Sequence, residues 1–185
     1  MIGKNISIAF ILVFILVPHD FLFSNSTKEN MEQGVKAWKN GDYTRAIVYV
    51  TRVIKSKYSK DFSYGAYLVR GDCYDNLRKY RQAIQDFTKA IYIHPKKYEG
   101  YFARGETRIT IGDFKDAIQD FTKAIQINPG YIYSYTHRGS AYHELKLYRS
   151  AIKDYTKFIQ STTQLNPKLD EAYYYRGLAY YRIDK

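Results

Sequence analysis

The chain has 185 residues, 45% hydrophobic and 17% aromatic, which is enough for one packed domain and excludes disorder as the default. Its formal net charge of +11 fits an anionic or acidic partner; the excess is spread along the chain, with residues 98–131 slightly acidic. A single cysteine, Cys73, excludes a disulfide framework and, in an apolar helical setting, reads as small core filler.

Residues 1–26 read as an export signal. Lys4 leads into the apolar run Ile6–Val17, which Pro18-His19-Asp20 stops. Twelve helical residues reach about 18 Å, short of a hydrocarbon core of about 30 Å. Small residues in Ser24-Asn25-Ser26 place the expected cleavage after Ser26, and the alternative is an uncleaved anchor prolonged by Phe21-Leu22-Phe23. No cysteine stands near the signal to take a lipid, and Asn25-Ser26-Thr27 matches a glycosylation acceptor.

Beyond residue 26 the chain repeats. YLVRGDCY at 67–74, YFARGETR at 101–108, YTHRGSAY at 135–142 and YYYRGLAY at 173–180 start 34, 34 and 38 residues apart. A second block follows each of the first three: KYRQAIQDFTKAIYIHP at 79–95, DFKDAIQDFTKAIQINP at 113–129 and LYRSAIKDYTKFI at 147–159. In the second block Tyr80, Ala83, Ile84, Phe87, Ala90 and Ile91 fall at helical steps on one face, and Tyr67, Gly71 and Tyr74 do so in the first. Each unit is therefore two helices joined by a tight turn such as Ile111-Gly112-Asp113, with Pro95, Pro129 and Pro167 marking the boundaries. The organisation is a degenerate unit over 27–63, units over 64–97 and 98–131, a unit with an insertion over 132–169, and the first helix of another over 170–185. The first unit has Val53 where the others carry Ala, and Tyr58 in place of the proline; the fourth has Phe158 for Ala and four extra residues at Ser161–Gln164. The expected core includes Tyr67, Tyr74, Ile84, Phe87, Tyr101, Ile118, Phe121, Tyr135, Tyr142 and Tyr155.

These residues resemble the tetratricopeptide repeat over nearly all of 27–185. Gly71, Gly105, Gly139 and Gly177 match its small position in the first helix, and Ala83, Ala117, Ala151, Ala90 and Ala124 match those in the second. The resemblance implies an all-α, right-handed α-solenoid of helix-turn-helix units, preceded here by the signal peptide. It also implies a concave groove, lined by first helices, for a peptide or protein segment. Carried onto this sequence, that groove is Met31, Val35, Trp38, Lys39, Leu68, Asp72, Asp75, Asn76, Glu99, Phe102, Glu106, Ile109 and Thr110. It continues through Tyr133, Thr136, Ser140, His143, Glu144, Glu171, Tyr174, Leu178, Tyr181 and Arg182. In the middle units the face carries carboxylates and no Lys or Arg, so the expected ligand is basic with apolar anchors, and a cationic carboxylate clamp is not expected.

Arg70, Arg104 and Arg138 each precede an aspartate, Asp86, Asp120 and Asp154, by sixteen residues; this spacing predicts a ladder of structural ion pairs between helices, solvated faces being the alternative. No catalytic constellation emerges. His143-Glu144 opens like a zinc-protease motif, but Leu147 stands where the second histidine is needed, and no phosphate loop is present. The expectation is a non-enzymatic scaffold without metal or cofactor. Nucleic acid is not expected, because the tyrosines sit at packing positions and the signal removes the usual targets. An anionic envelope polymer or lipid surface is the alternative partner, and the Tyr-rich helix 170–183 is a candidate for self-association.

Overall fold

The computed structural model describes residues 25–56 and 60–183, so the proposed leader up to residue 24, and Tyr58, lie outside the described residues. Among those residues there are nine α-helices and no strand. They are α1 (Asn25–Lys39), α2 (Tyr43–Lys55), α3 (Lys60–Asn76), α4 (Tyr80–Ile93), α5 (Tyr98–Thr110), α6 (Phe114–Ile127), α7 (Tyr133–Glu144), α8 (Tyr148–Ser161) and α9 (Leu169–Ile183). Helix α1 begins two residues before the expected cleavage point, and Thr27 is already buried.

The turns inside the helix pairs share one geometry. After α1, the Gly41 N–H donates to the Trp38 carbonyl at 3.0 Å and the Asp42 N–H to the Ala37 carbonyl at 2.9 Å. The same two bonds recur from Arg78 and Lys79, from Gly112 and Asp113, and from Lys146 and Leu147. This is the Schellman closure, which satisfies the last carbonyls of a helix and needs a left-handed residue. Glycine supplies it at Gly41 (φ 76°) and Gly112 (φ 79°), but the other two turns use Arg78 (φ 58°) and Lys146 (φ 60°). Between pairs, His94 and Asn128 leave the helical region with ψ of 78° and 86°, because each precedes a proline.

The described residues divide into two compact units, one running to Thr107 and one from Arg108. In the first, α1 packs on α2, α2 on α3 and α3 on α4, over a core that includes Met31, Trp38, Val50, Val53, Leu68, Val69 and Phe87. In the second, α6 packs on α7, α7 on α8 and α8 on α9, with Tyr155, Phe158 and Ala172 at its centre. Of the expected core, Phe87, Phe121 and Tyr155 are buried, whereas Tyr67, Tyr74, Ile84, Tyr101, Ile118, Tyr135 and Tyr142 are only half-buried. The tyrosines stop short of the core because they flank arginines: the Arg70 guanidinium lies 5.5 and 5.9 Å from the Tyr67 and Tyr74 ring centres, and Arg138 lies 5.8 Å from both Tyr135 and Tyr142.

Those arginines are also the hubs between helices. Arg70 donates from Nε and Nη2 to the two Asp86 oxygens at 2.7 and 2.8 Å, and from Nη1 to Thr51 on α2 at 3.1 Å. Arg138 repeats this with Asp154 at 2.7 and 2.8 Å and Thr122 on α6 at 3.0 Å. Both aspartates are buried, so the fork-to-fork contact acts where solvent screens it least. The remaining sequence pair, Arg104 with Asp120, falls across the two units. Within the first unit Arg104 donates to Thr88 at 2.9 Å, and within the second Asp120 accepts from Arg108 at 2.7 Å.

Candidate functional site

In the second unit the last turn of α5, the middle of α7 and the start of α9 enclose a cleft of about 180 Å³. Ile109, Thr136, His137, Ser140, Tyr155, Lys168, Glu171, Ala172 and Tyr175 line it. Ser140 and Tyr155 share a 3.3 Å hydrogen bond, and the Tyr155 and Tyr175 rings stack 6.1 Å apart at 19°. His137 Nδ1 lies 2.8 Å from the Tyr133 carbonyl, and Thr136 donates to that carbonyl at 2.9 Å, so both polar side chains are tied to their own helix. At the rim Lys168 donates to Glu171 at 2.7 Å. Lys168 belongs to the connection lengthened by the four extra residues; its backbone N–H is held by Asn166, which reaches Tyr133 at 3.4 Å.

Burial pushes the Tyr155 phenol up to about 12, opposed by its hydrogen bond to Ser140 and reinforced by Tyr175, Glu171 and Glu144. Two carboxylates thus act on the floor of a cleft whose volume is below the range of about 300–1,000 Å³ usual for small-molecule sites. It has room for a side chain, not for a cofactor. Among the described residues, no group of three His, Cys, Asp or Glu is placed to hold a metal ion.

The sequence-derived groove is only partly a free surface. Ile109, Thr136, Ser140 and Glu171 come together in the cleft. Tyr133 and His143 stand beside it, the latter with its ring edge-on to Tyr148 and Tyr175; Glu144 is exposed, and Tyr174 is 66% exposed with its ring 5.3 Å from Tyr175. In the first unit Met31, Val35, Trp38, Leu68 and Phe102 are buried core residues instead. Asp72 and Asp75 are buried too, and their oxygens are already engaged: Asp72 accepts from Trp38 Nε1 and from Asn76 at 3.0 Å, and Asp75 accepts from Thr107 at 2.9 Å. Glu99 accepts from Tyr64 at 3.1 Å, and Glu106 is half-buried. The cause is lateral packing: Asp72 on α3 bonds to Trp38 on α1, and Thr107 on α5 to Asp75 on α3, so successive first helices cover one another along this face. Sequence reasoning missed His137, Lys168, Ala172 and Tyr175 at the cleft. The insertion after α8 was the one signal for Lys168, and it places a cation beside a face read as lacking one.

Cys73 is fully buried, and burial, with Asp72 beside it, pushes its thiol up and away from reactivity.

Helix pairs joined by identical turns, notched by glycine and alanine, and offering a side-chain-sized cleft define a helical-repeat protein-interaction module. The chain belongs to the tetratricopeptide-repeat family, whose models match residues 64–97, 98–131 and 132–163. Among solved structures it is similar to a crystal structure of MamA protein, at 26% identity over 88% of this chain and 85% of that one, with a TM-score of 0.76. MamA from Desulfovibrio magneticus RS-1 shares the fold at 18% identity, 88% coverage of both chains and a TM-score of 0.76. So does the first such module of Spaghetti (RPAP3), solved with the HSP90 peptide SRMEEVD bound, at 23% identity over 66% of this chain and 94% of that one, TM-score 0.62. No curated protein matches the sequence.

Proposed function

We propose that the protein is an exported, non-catalytic scaffold that takes a polypeptide segment across the cleft of its second unit. An apolar side chain of the ligand enters beside Ile109, Ala172 and Tyr175, and a neighbouring Lys or Arg meets Glu144 and competes with Lys168 for Glu171. The observation that carries this reading is the geometry of the cleft: Ile109, Ala172 and Tyr175 line a side-chain-sized opening with the Glu171 carboxylate in its lining. The HSP90 peptide bound by the RPAP3 module is acidic, and this cleft calls for the opposite sign.

Selection of a random peptide library on the purified protein tests it. The expected outcome is enrichment of peptides with Lys or Arg within a few residues of an aliphatic or aromatic anchor, lost in the Ile109→Glu variant and weakened about tenfold by Glu144→Gln with Glu171→Gln. Acidic peptides retained at the same cleft would remove the charge argument. Export rests on Lys4 and the Ile6–Val17 run, and N-terminal sequencing of the protein from fractionated cells checks it. Among the described residues no helix is long and apolar enough to cross a membrane.

The charge of +11 favours a second reading, retention on an anionic envelope polymer or lipid surface. It predicts binding to anionic vesicles that declines steeply with salt.

A further inference from the structure

In the first unit charge is sorted between first and second helices. Helix α2 has no Asp or Glu, and the one carboxylate of α4, Asp86, is buried and taken by the Arg70 fork. What these two second helices expose is cationic: Arg45, Arg52 and Lys55 on α2, and Arg81 and Lys89 on α4, with Arg78 in the turn before it. Among the described residues none of these six forms a salt bridge. The exposed acids on this unit's helices stand on first helices, Glu29 and Glu32 on α1 and Asp61 on α3.

The two cationic faces adjoin. Arg70 reaches Thr51 on α2 with Nη1 and Asp86 on α4 with Nε and Nη2, so one guanidinium holds the two second helices side by side. Arg45, Val48, Tyr49 and Arg52 fall at helical steps on one side of α2, as do Arg81, Gln85, Lys89 and Tyr92 on α4, while Ala46, Val50, Ala83 and Phe87 are buried on the other. Neighbours are in place around them: α1 and α3 pack on α2, α3 packs on α4, and α5 meets α4 at Gly100, where a Cβ would lie 3.0 Å from Ile91. Arg45 and Arg52 are steadied by one ring, their guanidinium carbons 5.9 and 5.5 Å from the Tyr49 centre. Two uncharged side chains project among the cations, Val48 at 49% and Tyr92 at 84% exposure. In the second unit α6 has Asp116 where α4 has Gln82, so its outward face carries both signs.

We infer that the adjoining outward faces of α2 and α4 dock on an anionic lipid bilayer, with phosphate headgroups as the ligand. The inference rests on the anionic-surface reading above and gives it a place on the molecule. A guanidinium fork matches phosphate oxygens, and Arg45 and Arg52 lose less freedom on binding because Tyr49 already orients them. Each cation close to such a surface adds to the attraction, and the sum decays within a Debye length. Val48 and Tyr92 favour a bilayer over a soluble polyanion: a phenol is suited to the headgroup level, and an aliphatic side chain gains from the acyl boundary but not from a chain of phosphates. Both helices stay packed on α3, so docking needs no rearrangement of the fold.

The test is co-sedimentation of the full chain with vesicles of phosphatidylglycerol mixed with phosphatidylcholine, read against phosphatidylcholine alone, which accounts for any uptake of the apolar run Ile6–Val17. Preference for the anionic vesicles is expected, weakened about tenfold or more by Arg81→Glu with Lys89→Glu, and in the same direction but less by Arg81→Gln with Lys89→Gln. Lys36→Glu with Lys39→Glu makes the same change of charge on α1 and is expected to cost less than about threefold. Tyr92→Trp adds a second readout: its emission shifts to the blue on vesicles and not on soluble polyphosphate, above a constant signal from the buried Trp38. Anionic preference that the α4 and α1 pairs reduce equally overturns the docking face while leaving the anionic-surface reading standing. No preference for anionic vesicles, with none for polyphosphate, removes both. Tighter binding to polyphosphate or DNA than to vesicles, or an unshifted emission from the Tyr92→Trp protein on vesicles, overturns the bilayer as the occupant.

Discussion

A Cβ on Gly71 would sit 2.6–3.0 Å from three carbons of the Phe87 ring, and Phe87 is buried. In helix propensity, Gly→Ala gains roughly 1 kcal/mol, so the sign of the substitution reports whether space or backbone entropy dominates. At Gly71 space dominates: Gly71→Ala is expected to lower stability by roughly 1–3 kcal/mol, through displacement of a packed ring. At Gly177, where nothing lies within 4 Å, the same change is expected to be neutral or to stabilise by up to about 1 kcal/mol. Urea unfolding of the two single variants makes the comparison. Equal effects would mean that the glycines are not packing notches. The same logic explains why Arg70 and Arg138 do more than neutralise an aspartate: each ties its own helix pair to the preceding second helix through a threonine, a geometry that lysine does not reproduce.

At the scale of the helix pair, the sequence spells out its own period. Small residues and aromatics recurring at 34-residue intervals carry the helix boundaries, the notches and the Arg–Asp spacing, because each depends on contacts inside one pair. Burial of Leu68, Phe102, Asp72 and Asp75 could not be read that way. It arises where one first helix lies against the next, and a single pair contains no record of how closely its neighbour approaches. The left-handed turn residues were equally hidden at Arg78 and Lys146, whose side chains give no sign of positive φ. A left-handed non-glycine residue costs roughly 1–2 kcal/mol, partly offset by the chain entropy glycine loses on folding. Lys146→Gly is therefore expected to raise stability by about 0.5–1 kcal/mol with both turn hydrogen bonds kept, measured as a higher urea midpoint at unchanged slope.

Over the whole molecule, stability is linked to alkaline pH through the phenols that folding buries, Tyr64 and Tyr155. Each unit buries at least one phenol. Burial, assisted by Glu99, holds Tyr64 far above its ordinary value of 10 in the first, and burial of Tyr155 takes it to about 12 in the second. A phenol whose pKa is raised by folding keeps its proton in the native state while the unfolded chain releases it near pH 10. Its contribution is complete below pH 10 and is lost as pH climbs through the folded value, on the order of 2 kcal/mol for Tyr155. The melting temperature is expected to fall progressively between pH 10 and 12. Tyr155→Phe lowers the starting stability by removing the bond to Ser140, yet it flattens the decline, because the substituted residue has no proton to lose. Rising pH also reduces the net positive charge and so relieves self-repulsion, an effect common to both proteins that cancels in the difference of slopes. Identical slopes for the two proteins would mean that Tyr155 is solvated in the native state, and the account of the cleft floor that depends on its burial would fail with it.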